Sequence, residues 1–541
     1  MITIAFFTLL LPIVQGTTPP ADSVRLYSDL GAHHMPIGTQ VPAAQQYFDQ
    51  GMRLVYGFNH GEAIRAFTQA ARLDPDCAIC HWGAALALGP HVNAPMDSAA
   101  GVQAWAHLQL AIALRDKASP RERAFIDALT HRYASAPPAD RAALDLAYAL
   151  AMGDVVARYP ADLDAATLYA EALMDLRPWA YWTRQGEPYP GTLTILAQLE
   201  RVLQANPDHP GACHYYIHAV EAVAPEKAVP CAERLASLMP GAGHVVHMPA
   251  HIYIRVGRYA DAIQANIHAS HADEAYIASE QPSGIYPIGY YPHNYHFLGM
   301  AGMMAMSGTQ AIEAARKLRE RVPADVARVV PPLEPLISYA HQMLAAFGRW
   351  DDVLSEPLPP GDLRLAFGLA HYARGVAFAA KSDWNAARSS LDTVTAIALG
   401  TAPADRTAMA AGAGENKTIM DIAMHALIAE IAYRRGRFPE AAAHFQVAAG
   451  LEDSFNYTEP PQWAVPIRWS LGEALLKADR AADAERAYLE DLRRFPENGW
   501  SLSGLAASLR AQSKTQAAAD VAARLVRASS GADVRLSGSR F

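Results

Sequence analysis

Apolar residues along this chain recur three and four positions apart rather than in alternation, so the pattern predicts helices and not strands. The helices come in pairs. Tyr47, Gly51 and Leu54 fall on one helical stripe, Ala63, Phe67 and Ala70 on a second, and Pro75 closes the unit. Small residues let two antiparallel helices approach closely, and a proline, which lacks an N–H, cannot prolong the second. The same ruler fits Gly472, Leu475, Ala484, Tyr488 and Pro496, preceded by Gly436, Phe438, Ala441, Phe445 and Ala448. One unit length, about 34 residues, separates Ala228 from Ala262, with Pro240 closing the first of these units. Gly348-Arg349-Trp350 and Asp383-Trp384 mark two more interhelix turns.

This spacing resembles the tetratricopeptide repeat family over most of the chain, from Gln45 to about Ser530. The resemblance implies an all-α fold: a right-handed α-solenoid of tetratricopeptide-like helix hairpins with loop insertions, spanning 44–532. Its clearest repeats are 44–77, 209–242, 243–276, 292–325, 422–455 and 465–498. Before it stands a lead-in segment, 17–43, and after it a tail, 533–541. An array of repeats also accommodates 541 residues without several separate cores. Insertions interrupt the repeats at 91–101, 178–191, 278–292, 401–417 and 452–466. Long loops in a compact array are more often functional than accidental. The aromatic Trp179, Trp182, Tyr291 and Trp463 in or beside them are therefore candidate substrate-binding residues.

In tetratricopeptide arrays the first helix of each repeat lines the concave groove, and the resemblance implies which side chains face a ligand. Four, seven and eleven residues after Pro240 come His244, His247 and His251. Seven and eleven after Pro207 come His214 and His218, with Glu221 one turn on; after Pro160 the same places hold Thr167 and Glu171. His293, His296 and Met300 precede Ala311 by the distances at which His244, His247 and His251 precede Ala262. The expectation is a ladder of seven histidines, His214, His218, His244, His247, His251, His293 and His296, which with Glu171 and Glu221 can ligate a metal. Pro249 lies inside the run and predicts a kink at most.

With 21 histidines some pairs at helical spacing arise by chance. His268 and His271, in a second helix, are read as such. An imidazole-rich set disfavours calcium and magnesium and leaves copper, iron or zinc, or nickel. Met300, Met303 and Met304 would tilt the choice towards copper, although a methionine face is usually core. Arg255 and Tyr253, just beyond His251, are candidates for holding a substrate, Arg255 by an anionic group.

Residues Met1 to Gly16 have the form of a signal peptide, and no later stretch is long and apolar enough to span a membrane, so the protein is expected to be exported, periplasmic or secreted. In that setting Cys77-Ala-Ile-Cys80-His81 has the form of a c-type haem attachment site, with His91 or Met96 as second ligand, but at the start of a packed first helix a porphyrin has little room, and a local disulfide or plain buried thiols are the favoured reading. Cys213 and Cys231 fall in the two helices of one hairpin and can cross-link them. His33-His34-Met35 can also meet a metal, but in the lead-in it reads as unstructured. A net charge of −9 without a basic run excludes nucleic acid as partner. No phosphate loop, nucleophile elbow or dinucleotide fingerprint is present. Two readings follow. One is an exported metalloprotein, with redox or hydrolytic use on a small substrate; the other is a scaffold whose groove binds a peptide or protein partner.

Overall fold

A computed structural model describes residues 24–400 and 413–541; the expected leader Met1–Gly16 and the larger part of the 401–417 insertion lie outside them. Among the described residues the regular structure is helical throughout, joined by turns and two isolated bridges, His91 with Ala94 and Trp182 with Pro188. No helix among them is long and apolar enough to cross a membrane. The chain divides into two compact units. The N-terminal unit holds 24–252 and 268–287, and the C-terminal unit holds 253–267 with 288–400 and 413–541.

Within each unit the repeat pattern acts through glycines packed on aromatic rings. In the N-terminal unit Phe67, on the helix His60–Leu73, lies between Gly51 of Pro42–Tyr56 and Gly83 of Ala78–Ala87; a Cβ at either glycine would enter the ring. In the C-terminal unit Tyr488, on Ala481–Arg494, is held the same way between Gly472 of Ile467–Lys477 and Gly504 of Gly499–Ala511. Each ring therefore bonds its own hairpin and the next, which is how a stack of hairpins propagates.

The lead-in is not the loose terminus expected. From Val24 to Val41 it is strapped across the N-terminal unit by side chains that satisfy its extended backbone. Gln50 bonds Tyr27 N and Arg25 O, both at 2.8 Å, and Tyr47 donates to Val24 O at 2.6 Å. Asp49 accepts Met35 N at 3.1 Å and Arg53 donates to His33 O at 2.7 Å. An extended segment carries unpaired donors and acceptors that must find partners when buried, and the sequence supplies them from one helix face.

All four cysteines are paired, Cys77 with Cys80 and Cys213 with Cys231. The second pair joins Pro210–Val220 to Val229–Leu238, the hairpin that carries His214 and His218. The first is the local disulfide favoured over haem at this motif: neither Cys77 nor Cys80 has a thiol free for a thioether bond, and His81 packs near His107.

Candidate metal centre

The helix Pro210–Val220 is buried along its whole length, so its polar side chains must find partners inside the protein. His214 and His218 lie one turn apart on it, with Glu221 at its C-cap. The helical stretch that follows this hairpin does not run through: Gly243–His247 ends at Met248, and a second segment, Pro249–Arg255, starts on the proline, which is tolerated in the first turn of a helix but not in its interior. The break leaves His244, His247 and His251 still facing one side. Gly243 admits the neighbouring Asp273, since a Cβ there would collide with the carboxylate, and Tyr286 donates to the same carboxylate at 2.7 Å.

Five imidazoles from these stretches form a closed circuit. Ring centroids are 5.0 Å apart for His214 and His218, 5.4 Å for His218 and His251, and 4.9 Å for His251 and His247. The circuit closes through His247 to His244 at 6.0 Å and His244 to His214 at 5.0 Å. None of the five is more than 4% exposed. Nitrogens of His214, His218 and His244 lie within 4.8 Å of one another.

The hydrogen bonds assign the protons. His214 Nδ1 lies 2.6 Å from the carbonyl oxygen of Tyr56, which only accepts, so Nδ1 carries the hydrogen. His218 Nδ1 faces Glu221 Oε1 at 3.3 Å and is protonated for the same reason. Burial, followed for His214 by the neighbouring His218, pushes both imidazoles down in pKa and keeps them neutral. A neutral imidazole has one N–H, so the two Nε2 atoms meet lone pair to lone pair at 3.2 Å. His251 repeats the design: its Nδ1 is 2.7 Å from Glu221 Oε2, and its Nε2 is 3.0 Å from His247 Nε2. Burial alone would raise the Glu221 carboxyl, but the His251 and His218 imidazoles outweigh it and hold it down at about 2.

Phe58 forms the floor. It sits in the left-handed region, at φ 54°, two residues after the end of the helix Pro42–Tyr56, and its ring lies 4.4 Å from His214, 5.5 Å from His244 and 6.1 Å from His218. His91 joins it at 4.7 Å and is itself kept neutral by burial and then by His60. Trp179, from the 178–191 insertion, stands edge-on to His218 at 5.0 Å and donates its indole N–H to Asn93, while Trp182 donates to Ala219 O. Both insertion tryptophans thus dock on the histidine helix or the ring it carries. The repeat ruler did not include Tyr56, the last residue of the helix Pro42–Tyr56, or Phe58 and His91, which belong to a turn and an insertion.

Glu171 is buried beside Asp175 and Arg132 in a polar network of its own, where burial pushes the carboxyl pair up and Arg132 binds Asp175 at 2.7 Å. In the C-terminal unit, His293 packs on Phe297, and His296 stands edge-on to Tyr339 and is pushed down to about 3 by burial. Arg255 donates to Arg494 O at 2.8 Å and lies over Tyr457; Tyr253 carries Arg258 on its ring, and Tyr291 carries Arg321. Trp463 is core, 5.3 Å from Tyr372, as are Met300, Met303 and Met304. The structure also groups residues that spacing could not connect: His33 of the lead-in with Asp164 and His209.

No family model matches the chain, and no curated protein matches it in sequence. Similar solved structures include the human IFIT1 dimer with m7Gppp-AAAA, at 14% identity over 84% of this chain and 90% of that one, with a TM-score of 0.31. Yeast Tom70 is 11% identical over 90% and 92%, with a TM-score of 0.25, and the P58(IPK) TPR domain 12% identical over 87% and 99%, with 0.22. Likeness at this level says nothing of ligand or activity. The tetratricopeptide-like architecture is carried by the chain's own hairpins and their glycine–aromatic packing.

Proposed function

From a chain built of tetratricopeptide-like helix hairpins, we propose a metalloprotein whose N-terminal unit binds a divalent transition metal through His214, His218, His244, His247 and His251. The facing Nε2 lone pairs carry this reading. Two lone pairs at 3.2 Å repel unless a cation lies between or beside them. Around a tetrahedral zinc with bonds of about 2.0–2.1 Å, neighbouring ligand nitrogens stand roughly 3.3–3.4 Å apart, close to the 3.2 and 3.0 Å of the two imidazole pairs. Glu221 then acts behind the ligands, orienting His218 and His251 by their Nδ1–H groups in the carboxylate–histidine–metal arrangement. Imidazole donors suit zinc, copper, iron or nickel. Pairing of all four cysteines supports export, because disulfides persist in oxidising compartments.

Elemental analysis of the full chain purified without an affinity tag tests this. A stoichiometric transition metal that falls at least tenfold in His218→Ala/His251→Ala is the expected result; no metal in the wild type removes the reading. A second reading, a docking scaffold, draws on apolar residues left exposed on two helices of the N-terminal unit: Val102 and Leu110 on Ser98–Ala113, Leu146 and Leu150 on Ala142–Arg158. Partner capture from an envelope extract that survives the double histidine substitution but not Leu150→Asp favours it.

A further inference from the structure

The N-terminal unit holds a second polar group, at the floor of an open cleft of about 870 Å³. His33 reaches it from the lead-in strap, Asp164 from the first turn of Leu163–Asp175, and His209 from the N-cap of Pro210–Val220. Asp164 Oδ1 accepts from His33 Nε2 at 2.9 Å and from the Tyr56 hydroxyl at 2.8 Å, and lies 3.4 Å from His209 Nε2. Against burial, the His209 and His33 imidazoles hold the Asp164 carboxyl well below the usual carboxylate range.

In composition this is a metal site: His33, Asp164 and His209 each offer a ligand atom within 4.8 Å of the others. The protons argue otherwise. His209 Nδ1 accepts the Ala212 N–H at 3.1 Å as a helix cap, so its hydrogen is on Nε2, the nitrogen a metal would need. His33 Nε2 donates to Asp164, so its hydrogen is spoken for as well. A carboxylate that fixes one imidazole nitrogen as the donor leaves the other as a base. His33 Nδ1 is that nitrogen; it has no partner among the described residues, is not a buried atom, and belongs to the cleft wall.

The lining of the cleft narrows the chemistry. It contains no Ser, Thr, Cys or Lys among the described residues, so the aliphatic hydroxyl, thiol and amine groups that a histidine base ordinarily activates are not part of its lining. A base without such a partner activates water. Arg158 lies on the cleft wall with its guanidinium over the Tyr159 ring, 5.5 Å from the centroid, and has no ion pair among the described residues.

We propose that this cleft hydrolyses a small carboxylic ester, with His33 Nδ1 as general base, Asp164 as the residue that positions it, and Arg158 as the charge facing the acyl oxygen. The balance is closed by water alone. As the water oxygen bonds the acyl carbon, its proton moves to His33 Nδ1 and the carbonyl pair moves onto oxygen. Collapse breaks the acyl C–O bond, and the proton on Nδ1 passes to the departing alkoxide, giving acid and alcohol.

The test is hydrolysis of 4-nitrophenyl acetate by the full chain, with a strong chelator present so that the histidine centre is silent and the two proposals fail separately. The wild type is expected to exceed free imidazole of equal concentration by about 100-fold, within the usual range for general-base catalysis. His33→Ala loses about 100-fold and regains part of it with added imidazole. Arg158→Gln, at an exposed position outside the strap, raises KM or lowers kcat with the fold intact by circular dichroism. Wild type no faster than imidazole overturns the proposal, as does a folded His33→Ala that keeps its rate. Loss without imidazole rescue while Arg158→Gln stays at wild-type rate also overturns it, since that is the behaviour of a latch and not of a base.

Discussion

Glu221 in the N-terminal unit and Asp491 in the C-terminal unit are each 1% exposed, and they take opposite protonation behaviour from their donors. Glu221 faces two imidazole Nδ1–H groups and is held at about 2. Asp491 accepts from the Trp469 indole at 2.9 Å, the Ser501 hydroxyl at 2.6 Å and the Asn498 amide at 3.1 Å, and burial pushes its carboxyl up despite them. Neutral donors satisfy a buried carboxyl without deciding its charge. Groups that can become cationic decide it when they bond the carboxyl directly, as His218 and His251 do Glu221; Arg468, which bonds Asp453, acts on Asp491 from a distance and leaves burial in control. The same economy of buried polar groups therefore yields a staple in one unit, joining the helices Ile467–Lys477, Ala481–Arg494 and Gly499–Ala511, and a carboxylate that fixes the orientation of two imidazoles in the other.

The largest effect expected from that difference is on the staple. Asp491→Ala strands three donors, each worth about 1–3 kcal/mol when left buried and unsatisfied, so the C-terminal unit should lose roughly 3–5 kcal/mol. Hydrogen exchange across 467–511 reads this loss, and the metal content of the chain should not change. A parallel fall in bound metal would mean that the two carboxylates do not serve separate purposes.

The hairpins and the histidine faces could be read from the chain, but not this contrast between carboxyls. The hairpins were legible because Gly51, Phe67, Gly472 and Tyr488 sit where close packing demands them, and local spacing carries that demand. The five imidazoles were legible for the same reason: each lies on a helix face whose register counts from a closing proline. Glu221 was legible as a member of the cluster, which the structure groups with His218 and His251; which nitrogen each ring turns towards it is not, because no spacing encodes that. Glu171 keeps the register yet sits with Arg132, because a partner arriving from a distant helix decides where a buried carboxylate goes. His33 was set aside as part of a loose terminus, since nothing local shows that Gln50, Asp49 and Arg53 fasten the strap that carries it. Phe58 and Trp179 hold backbone with φ near 54° and 62°, outside any helical pattern.

A second carboxyl of the C-terminal unit sharpens the rule about donors. Glu452, 4% exposed, is pushed up to about 7, by burial first, because the nearby Arg468 and Arg494 bond Asp453 instead. Its folded pKa lies above its unfolded one, so the folded state holds a proton that the unfolded chain has already released. Stability contributed by this group is full below about 4.5 and declines as pH rises to about 7, by up to roughly 3 kcal/mol. Glu452→Gln should flatten that decline and leave the variant the more stable form at pH 8. Chemical denaturation between pH 5 and 8 measures it, and parallel curves for both proteins would remove Glu452 as the titrating group.

The smallest change tests the other half of the comparison. Glu221→Gln keeps length and volume, but its amide turns an N–H donor towards one of the two Nδ1–H groups. That ring must then move its hydrogen to Nε2, the nitrogen proposed for the metal, or leave a buried donor facing another. Loss of such an orienting partner typically lowers metal affinity by about 10–100-fold, or roughly 1.4–2.7 kcal/mol. Competition against a chelating dye reads the affinity directly, and Asp491→Asn serves as the control that alters an equally buried carboxylate without imidazole neighbours. Equal affinity in Glu221→Gln and wild type would falsify the assignment of Glu221 as the group that sets the His218 and His251 protons. A loss confined to Glu221→Gln ties the metal to those two rings in particular, because no other substitution of similar size reaches both of them through one side chain.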